Sequence, residues 1–245
     1  MSNTIILEDA YEKFSKQLRD NMYIPSRVDM DLVTGMEIIK LIGCTLKKEF
    51  VIDKNNQEAF EQLFWYFTGQ FEHFNGNPDK GICAIGKKGS GKTLAMEIMR
   101  LFLHFLADNG VLKPGTFKPF FRIVKTTEIK SNFSDQENGG MKTLKPYKTR
   151  HDVYCFDDIL EEVRTKDNTL AVHFAVKLNV IENIFTQRVE NMKVFHTLTH
   201  ATSNYPIQSS DSSQKYWEMA YGDRIADRGV EMFNVIFFYG ESRRK

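Results

Sequence analysis

A chain of 245 residues with 33 basic and 32 acidic side chains carries a net charge of +1, which excludes a global basic field, so any contact with nucleic acid has to come from a local patch. Hydrophobic residues make up 42 % and charged residues 27 %, an ordinary globular balance, and no apolar stretch approaches the length of a membrane span. The N-terminus has no signal-peptide pattern, and Cys44, Cys83 and Cys155 are far apart, so they read as buried free thiols of a cytoplasmic protein, neither disulfides nor metal ligands.

In chain order, Ile5 to Leu18 has the spacing of an amphipathic helix, with Ala10, Tyr11, Phe14 and Leu18 on one side. It is either a partner-binding arm or a packing element. A helix is expected over Thr34–Lys47, a turn at Asp53–Asn56, and a second helix over Gln57–Phe74 that carries Phe60, Phe64, Phe67 and Phe71. Asn75-Gly76-Asn77-Pro78 ends it.

Residues 82–93 organise the remainder of the chain. Ile82–Ile85 reads as a buried strand that breaks at Gly86 into a glycine-rich turn, and Leu94, Ala95, Met96, Ile98, Met99, Leu101 and Phe102 continue with helical spacing. Gly86, Gly91, Lys92 and Thr93 fit G-x-x-x-x-G-K-S/T in the strand–loop–helix context that this signature requires. Residues Gly86, Lys87, Lys88, Gly89, Ser90, Gly91, Lys92 and Thr93 are thus the expected phosphate cradle. Glycines at 86, 89 and 91 allow positive φ and close backbone approach, and the helix N-terminus favours an anion. Lys92 is placed for the β- and γ-phosphates of a nucleotide such as ATP, and the Thr93 hydroxyl for Mg²⁺; Lys87 and Lys88 are expected to be solvated.

Phe120–Val124 reads as a strand. The stretch from Asn132 to Arg150 carries Lys142, Lys145, Tyr147, Lys148 and Arg150, a basic run with an aromatic residue that fits either a single-stranded DNA contact or a solvated linker. Asp152–Asp158 is a β-prone run ending in two carboxylates. At the carboxyl end of a parallel strand, Asp157 is placed to hold Mg²⁺, and Asp158 to orient the attacking water. A long helix is expected over Asn168–Glu190, then a strand over Val194–Thr202 followed by Ser203 and Asn204, helix over Asp211–Tyr221, Arg224 and Arg228 on one helix face, and a last strand over Phe233–Tyr239. Strands alternate with helices after residue 80, which argues for a parallel sheet covered on both faces, an α/β fold.

The order Gly-Lys-Lys-Gly-Ser-Gly-Lys-Thr, Phe156-Asp157-Asp158, Thr202-Ser203-Asn204, Gly222-Asp223-Arg224-Ile225-Ala226-Asp227-Arg228 and Gly240-Glu241-Ser242-Arg243-Arg244 resembles the DnaC/IstB-like branch of the AAA+ ATPases. That branch holds replicative-helicase loaders and transposition helper ATPases, with phage and mobile-element versions. The resemblance runs from about residue 80 to the end, and its last two motifs are the most specific. It implies a P-loop NTPase core over 79–245, a helical N-terminal region over 1–78, and no full lid domain. It implies ATP and Mg²⁺ as cofactors, with Lys92 and Thr93 in the phosphate and metal roles, Asp157 as Walker B ligand and Asn204 as sensor. Arg224 or Arg228 is implied as an arginine finger acting on a neighbouring copy, and Arg244 as the terminal nucleotide-contacting arginine. An active oligomer is implied as well, with a replicative helicase or a transposase as the expected partner. The family carries Glu where this chain has Asp158, so slow hydrolysis, or help from Glu161 or Glu162, is expected.

The leading reading is thus an ATPase that loads a helicase on single-stranded DNA. A transposition helper shares every core motif. A nucleotide switch with negligible turnover is the third reading. A small-molecule kinase on the same fold is disfavoured, because Arg188 stands alone in its helix and the paired arginines come late.

Overall fold

Two-sided burial decides the architecture. In β1 (Gly81–Gly86), Ile82 and Ala84 join one apolar cluster while Cys83 and Ile85 join another, so the strand is covered on both faces. The same alternation sends Cys155 of β3 (Tyr154–Ile159) to the first cluster and Tyr154 and Phe156 to the second. The computed structural model describes residues 27–112, 120–163, 171–174, 176–209 and 215–243; the expected helix at Ile5–Leu18 and Arg244 lie outside the described residues.

The main sheet runs β2 (Arg122–Lys125), β3, β6 (Thr199–Ser203), β1, β7 (Phe233–Phe238), and every pairing is parallel. The carboxyl ends of β1, β3 and β6 therefore open on one edge. One face is covered by α1 (Leu32–Leu46), α2 (Gln57–Phe67) and α3 (Lys92–Asp108), through Ile39, Phe60, Leu63, Phe64, Met96 and Phe102 among others. The other is covered by α4 (Thr126–Ser134), α5 (Val180–Phe195), α6 (Tyr216–Tyr221) and α7 (Asp223–Met232), with Phe133, Phe185 and Trp217 at the centre. The N-terminal helices thus share one apolar cluster with the sheet, and the turn at Asn77–Lys80 leads directly into β1.

Several boundaries differ from expectation for identifiable reasons. The second helix ends at Phe67 rather than Phe74, because the Thr68 hydroxyl donates to the Phe64 carbonyl at 2.7 Å and Gly69 turns left-handed at φ 68°. Phe74 then folds back to lie 5.2 Å, ring to ring, from Tyr66. The helix expected over Asn168–Glu190 is corrected more strongly. Residues Ala171–His173 (β4) and Val176–Leu178 (β5) pair antiparallel, and α5 begins only at Val180, where the Asn179 side chain accepts the Glu182 N–H. Val172, Phe174, Val176 and Leu178 recur at period two, the strand period. α5 instead continues to Phe195 and closes at His196 (φ 52°), so the next strand starts at Thr199 rather than Val194. Of the helix expected over Asp211–Tyr221, residues 215–221 are described and α6 begins at Tyr216. The basic stretch is not a loop throughout: α4 ends at Ser134, and Met141–Lys148 form a 3₁₀ turn. Cys83 and Cys155 are buried free thiols as expected, whereas Cys44 is an exposed one, because it lies on the outer side of α1.

Candidate nucleotide-binding site

β1 delivers the chain to the sheet's carboxyl edge at Gly86, and α3 starts at Lys92, so the residues between form a tight loop. Two glycines make it feasible: Gly89 and Gly91 hold φ of 85° and 104°, and a Cβ on Gly89 would sit 2.2 Å from the Ser242 hydroxyl. Gly91 caps α3 without a side chain, which leaves the first-turn N–H groups of a 17-residue helix facing the cavity in front of the loop.

Lys92 is buried, and its ammonium donates to Gly86 O (2.8 Å), Lys87 O (3.0 Å) and Asn204 Oδ1 (2.9 Å). Asn204 stands just past β6, so the expected lysine and the expected sensor meet directly. Thr93 Oγ1 donates to Asp157 Oδ1 at 2.7 Å, and Thr202 Oγ1 donates to the same oxygen at 2.7 Å. Asp157 is 1 % exposed, and these two hydroxyls fix its orientation. Thr202 also receives the Asp158 N–H at 2.9 Å. Asp158 holds φ 55° at a register shift between β3 and β6, with its carbonyl taken by the Thr126 hydroxyl, and it lines the cavity.

Among the described residues no group of three or more His, Cys, Asp or Glu gathers to hold a metal. Thr93 and Asp157 supply two hard oxygen donors 2.7 Å apart, which fits Mg²⁺, an ion that keeps most of its shell for water and phosphate oxygens.

The cavity has a volume of about 830 Å³, within the range of small-molecule sites. Beside the phosphate loop it is lined by Leu46, Phe50, Val51, Phe60 and Phe238, an apolar half drawn mostly from the N-terminal segment. Arg243 lines it as well: its N–H donates to Gly89 O at 2.9 Å, and its guanidinium to Asp53 Oδ1 at 2.8 Å. The sequence pattern does not reveal this half. No local motif marks residues 46–60, and only the tertiary fold brings them to the loop.

Likeness to solved structures gives a fold. The crystal structure of the DnaC helicase loader matches with a TM-score of 0.52 at 19 % identity, over 79 % of this chain and 96 % of that one. This is an AAA+ fold. The DnaI crystal structure (TM-score 0.49, 18 % identity, 92 % of this chain and 100 % of that one) and AMPPCP-bound DnaA from Aquifex aeolicus (0.47, 12 %, 79 % and 50 %) also match. No protein-family model and no curated protein matches the chain.

On this AAA+ fold the remaining expected residues separate. Lys87 and Lys88 are exposed and pair with Glu241 (2.6 Å) and Glu161 (3.5 Å). Ser90 is buried in the loop, and its hydroxyl has no hydrogen-bond partner among the described residues. Glu162 is buried away from the cavity: the Tyr221 hydroxyl donates to its carboxylate, and burial raises its pKa. Arg224 is exposed at the start of α7, whereas the Arg228 side chain is only 13 % exposed and lies 3.7 Å from Glu190 on α5.

In the basic stretch, Lys142, Lys145 and Arg150 are exposed. Tyr147 instead turns its ring to Tyr154 and Phe156 at 5.4 and 6.3 Å, and Lys148 donates to Asn183. The AAA+ core therefore does not present these five residues as one open patch. Arg188 is buried and donates to Thr199 Oγ1, Thr149 O, Asp152 O and Leu198 O, so at least three of its five N–H donors are committed to the fold and it serves as a structural clamp. No helix among the described residues is long and apolar enough to cross a membrane.

Proposed function

We propose that the chain is an ATP-binding and ATP-hydrolysing protein of DNA replication, a helicase loader that assembles with copies of itself on single-stranded DNA. The observation that carries the nucleotide part is the Thr93–Asp157 hydrogen bond at the head of α3, with Lys92 held beside it by Asn204. It joins the phosphate loop, the carboxylate strand and the sensor strand at one point.

In this reading the α3 N–H groups and Lys92 bind the β- and γ-phosphates, whose oxygens take over from the Gly86 and Lys87 carbonyls as acceptors for the ammonium. Thr93 and Asp157 hold Mg²⁺, which neutralises charge developing on the phosphoryl group when bound. Asp158 faces the same space and orients water. Leu46, Phe50, Val51, Phe60 and Phe238 take the base. The exposed Arg224 is the better placed of the two arginines to reach a neighbouring copy. The region before residue 79, besides packing on the sheet and lining the cavity, is assigned the contact with the partner protein, and Lys142, Lys145 and Arg150 the contact with the DNA backbone. Helicase loading, rather than help to a transposase, is supported only by likeness of fold to the DnaC helicase loader.

The test is ATP turnover with and without single-stranded DNA, run beside light scattering with a non-hydrolysable ATP analogue. DNA-stimulated turnover with nucleotide-driven assembly supports the proposal. A monomer with no DNA response refutes the loader reading and leaves the nucleotide site to stand on binding alone.

A further inference from the structure

The segment Tyr239–Arg243 is tied both to the phosphate loop and to the N-terminal segment. Tyr239 N–H donates to Asn55 O (3.1 Å), Lys47 Nζ to Arg243 O (2.7 Å), and Arg243 N–H to Gly89 O (2.9 Å). These bonds root the Arg243 side chain at the rim of the loop, and its Cδ lies 4.0 Å from the point where a Cβ on Gly91 would stand. The guanidinium nevertheless ends on Asp53, at the turn that opens α2. Asp53 is independently occupied there, since its Oδ1 accepts the Asn55 N–H at 2.9 Å. The pair is partly open to solvent, with side chains 25 % and 40 % exposed.

We propose that Arg243 is a phosphate-binding residue held in reserve by Asp53, and that a nucleoside triphosphate competes with Asp53 for its guanidinium. This deepens the nucleotide-site reading and rests on it. The chemistry favours the exchange. A partly exposed ion pair contributes little and is weakened by salt. A guanidinium matches phosphate oxygens in a fork, and a triphosphate brings more negative charge than one carboxylate. Asp53 loses little, because its bond from Asn55 and its solvent contact persist. The consequence is a connection between occupancy and the N-terminal segment: when Arg243 swings to phosphate, the 47–55 stretch loses its ion pair to the tail and keeps the bonds from Tyr239 N–H to Asn55 O and from Lys47 Nζ to Arg243 O.

The experiment is equilibrium binding of ATP and of adenosine to the full chain, to Asp53→Asn, to Arg243→Gln and to the double variant. Asn retains the oxygen that the Asn55 N–H needs, and Asp53→Ser is the second variant should Asn loosen the turn. Asp53→Asn is expected to tighten ATP binding about two- to fivefold, the range a partly exposed pair releases, and the gain shrinks as salt rises. Arg243→Gln is expected to weaken ATP about tenfold, as for a lost charge-assisted hydrogen bond. Adenosine affinity stays the same in both, and Asp53→Asn adds nothing in the Arg243→Gln background. Equal ATP affinity of wild type and Asp53→Asn, additive effects in the double variant, or parallel changes with adenosine overturns the proposal while the nucleotide site stands. Failure of the wild-type chain to bind ATP overturns the nucleotide-site reading, and the proposal with it.

Discussion

Replacing Arg188 tests whether β6, the strand that leads to Asn204, is held by a buried charge. The guanidinium sits within the second apolar cluster's margin and makes four hydrogen bonds, at 2.8 Å to Thr199 Oγ1, 3.0 Å to Thr149 O, 2.8 Å to Asp152 O and 2.6 Å to Leu198 O. It thereby joins the start of β6 to the residues that lead into β3, the two strands whose far ends carry Asn204 and Asp157. Each bond to a charged group contributes about 1.5–3 kcal/mol, so the four together amount to about 6–12 kcal/mol. Against this stands desolvation, which pushes the guanidinium pKa down to about 10, a penalty of about 3 kcal/mol on the charged form. Three carbonyls and a hydroxyl lose this donor in Arg188→Ala, and the net loss expected is about 4 kcal/mol, in the range for removing one partner from a buried charged network. Urea unfolding followed by Trp217 fluorescence measures it, since Trp217 is fully buried in the cluster on the same face. A change under about 1 kcal/mol refutes the clamp, because then water or neighbouring groups satisfy those carbonyls at little cost.

Lys92→Ala is expected to abolish nucleotide binding, measured by titration with a fluorescent ATP analogue; affinity retained within a few-fold removes the phosphate-loop assignment. Arg224→Ala is expected to leave ATP binding intact and to lower assembly-dependent turnover by about 10³ or more, whereas Arg228→Ala, which loses the Glu190 contact, acts mainly on stability; the reverse pattern in turnover assays makes Arg228 the finger. Burial, and then the Arg188 charge, depress the His200 pKa from 6.5 to about 3, so between those values the unfolded chain binds the extra proton. Its contribution is complete above pH 6.5 and is lost as pH falls toward 3, at about 1.4 kcal/mol per unit, and His200→Gln should flatten that slope in acid unfolding curves. Replacing Lys142, Lys145 and Arg150 together should reduce the salt slope of single-strand binding by about 2, and an unchanged slope takes the stretch out of the interface.

The elements to which we assign the phosphate chemistry are legible in the sequence because their signals are local. A strand, a glycine turn and a helix lie within a few residues of each other, and Asp157 ends an apolar run whose alternation places it at the sheet's edge. Asn204 is legible only as a polar residue after a strand; its bond to Lys92, 112 positions earlier in the chain, is tertiary. The hairpin at Ala171–Leu178 reads as helix because its apolar residues merge with those of α5, and four residues at period two are too short a run to break a longer helical pattern. The apolar half of the cavity leaves no trace, since Leu46, Phe50 and Phe60 look like any helix face packing on a core.

That unreadable half changes how the proposed nucleotide site relates to stability. Phe50 and Phe60 meet ring to ring at 5.6 Å, and Phe60 meets Phe238 at 6.0 Å, so the apolar wall of the cavity is also the first cluster's margin. A ligand seated there extends a core that the N-terminal helices and β7 already share, and it stabilises the chain in proportion to RT ln(1 + [L]/Kd). Truncating Phe60 to Ala therefore removes packing and, in the proposed reading, the base contact as well. The two are separable, because the packing loss of about 3–5 kcal/mol is present without ligand, while the contact loss appears only in the ATP-dependent rise of the unfolding midpoint. A Phe60→Ala chain whose midpoint is lowered but rises with ATP as steeply as wild type places the base elsewhere in the cavity.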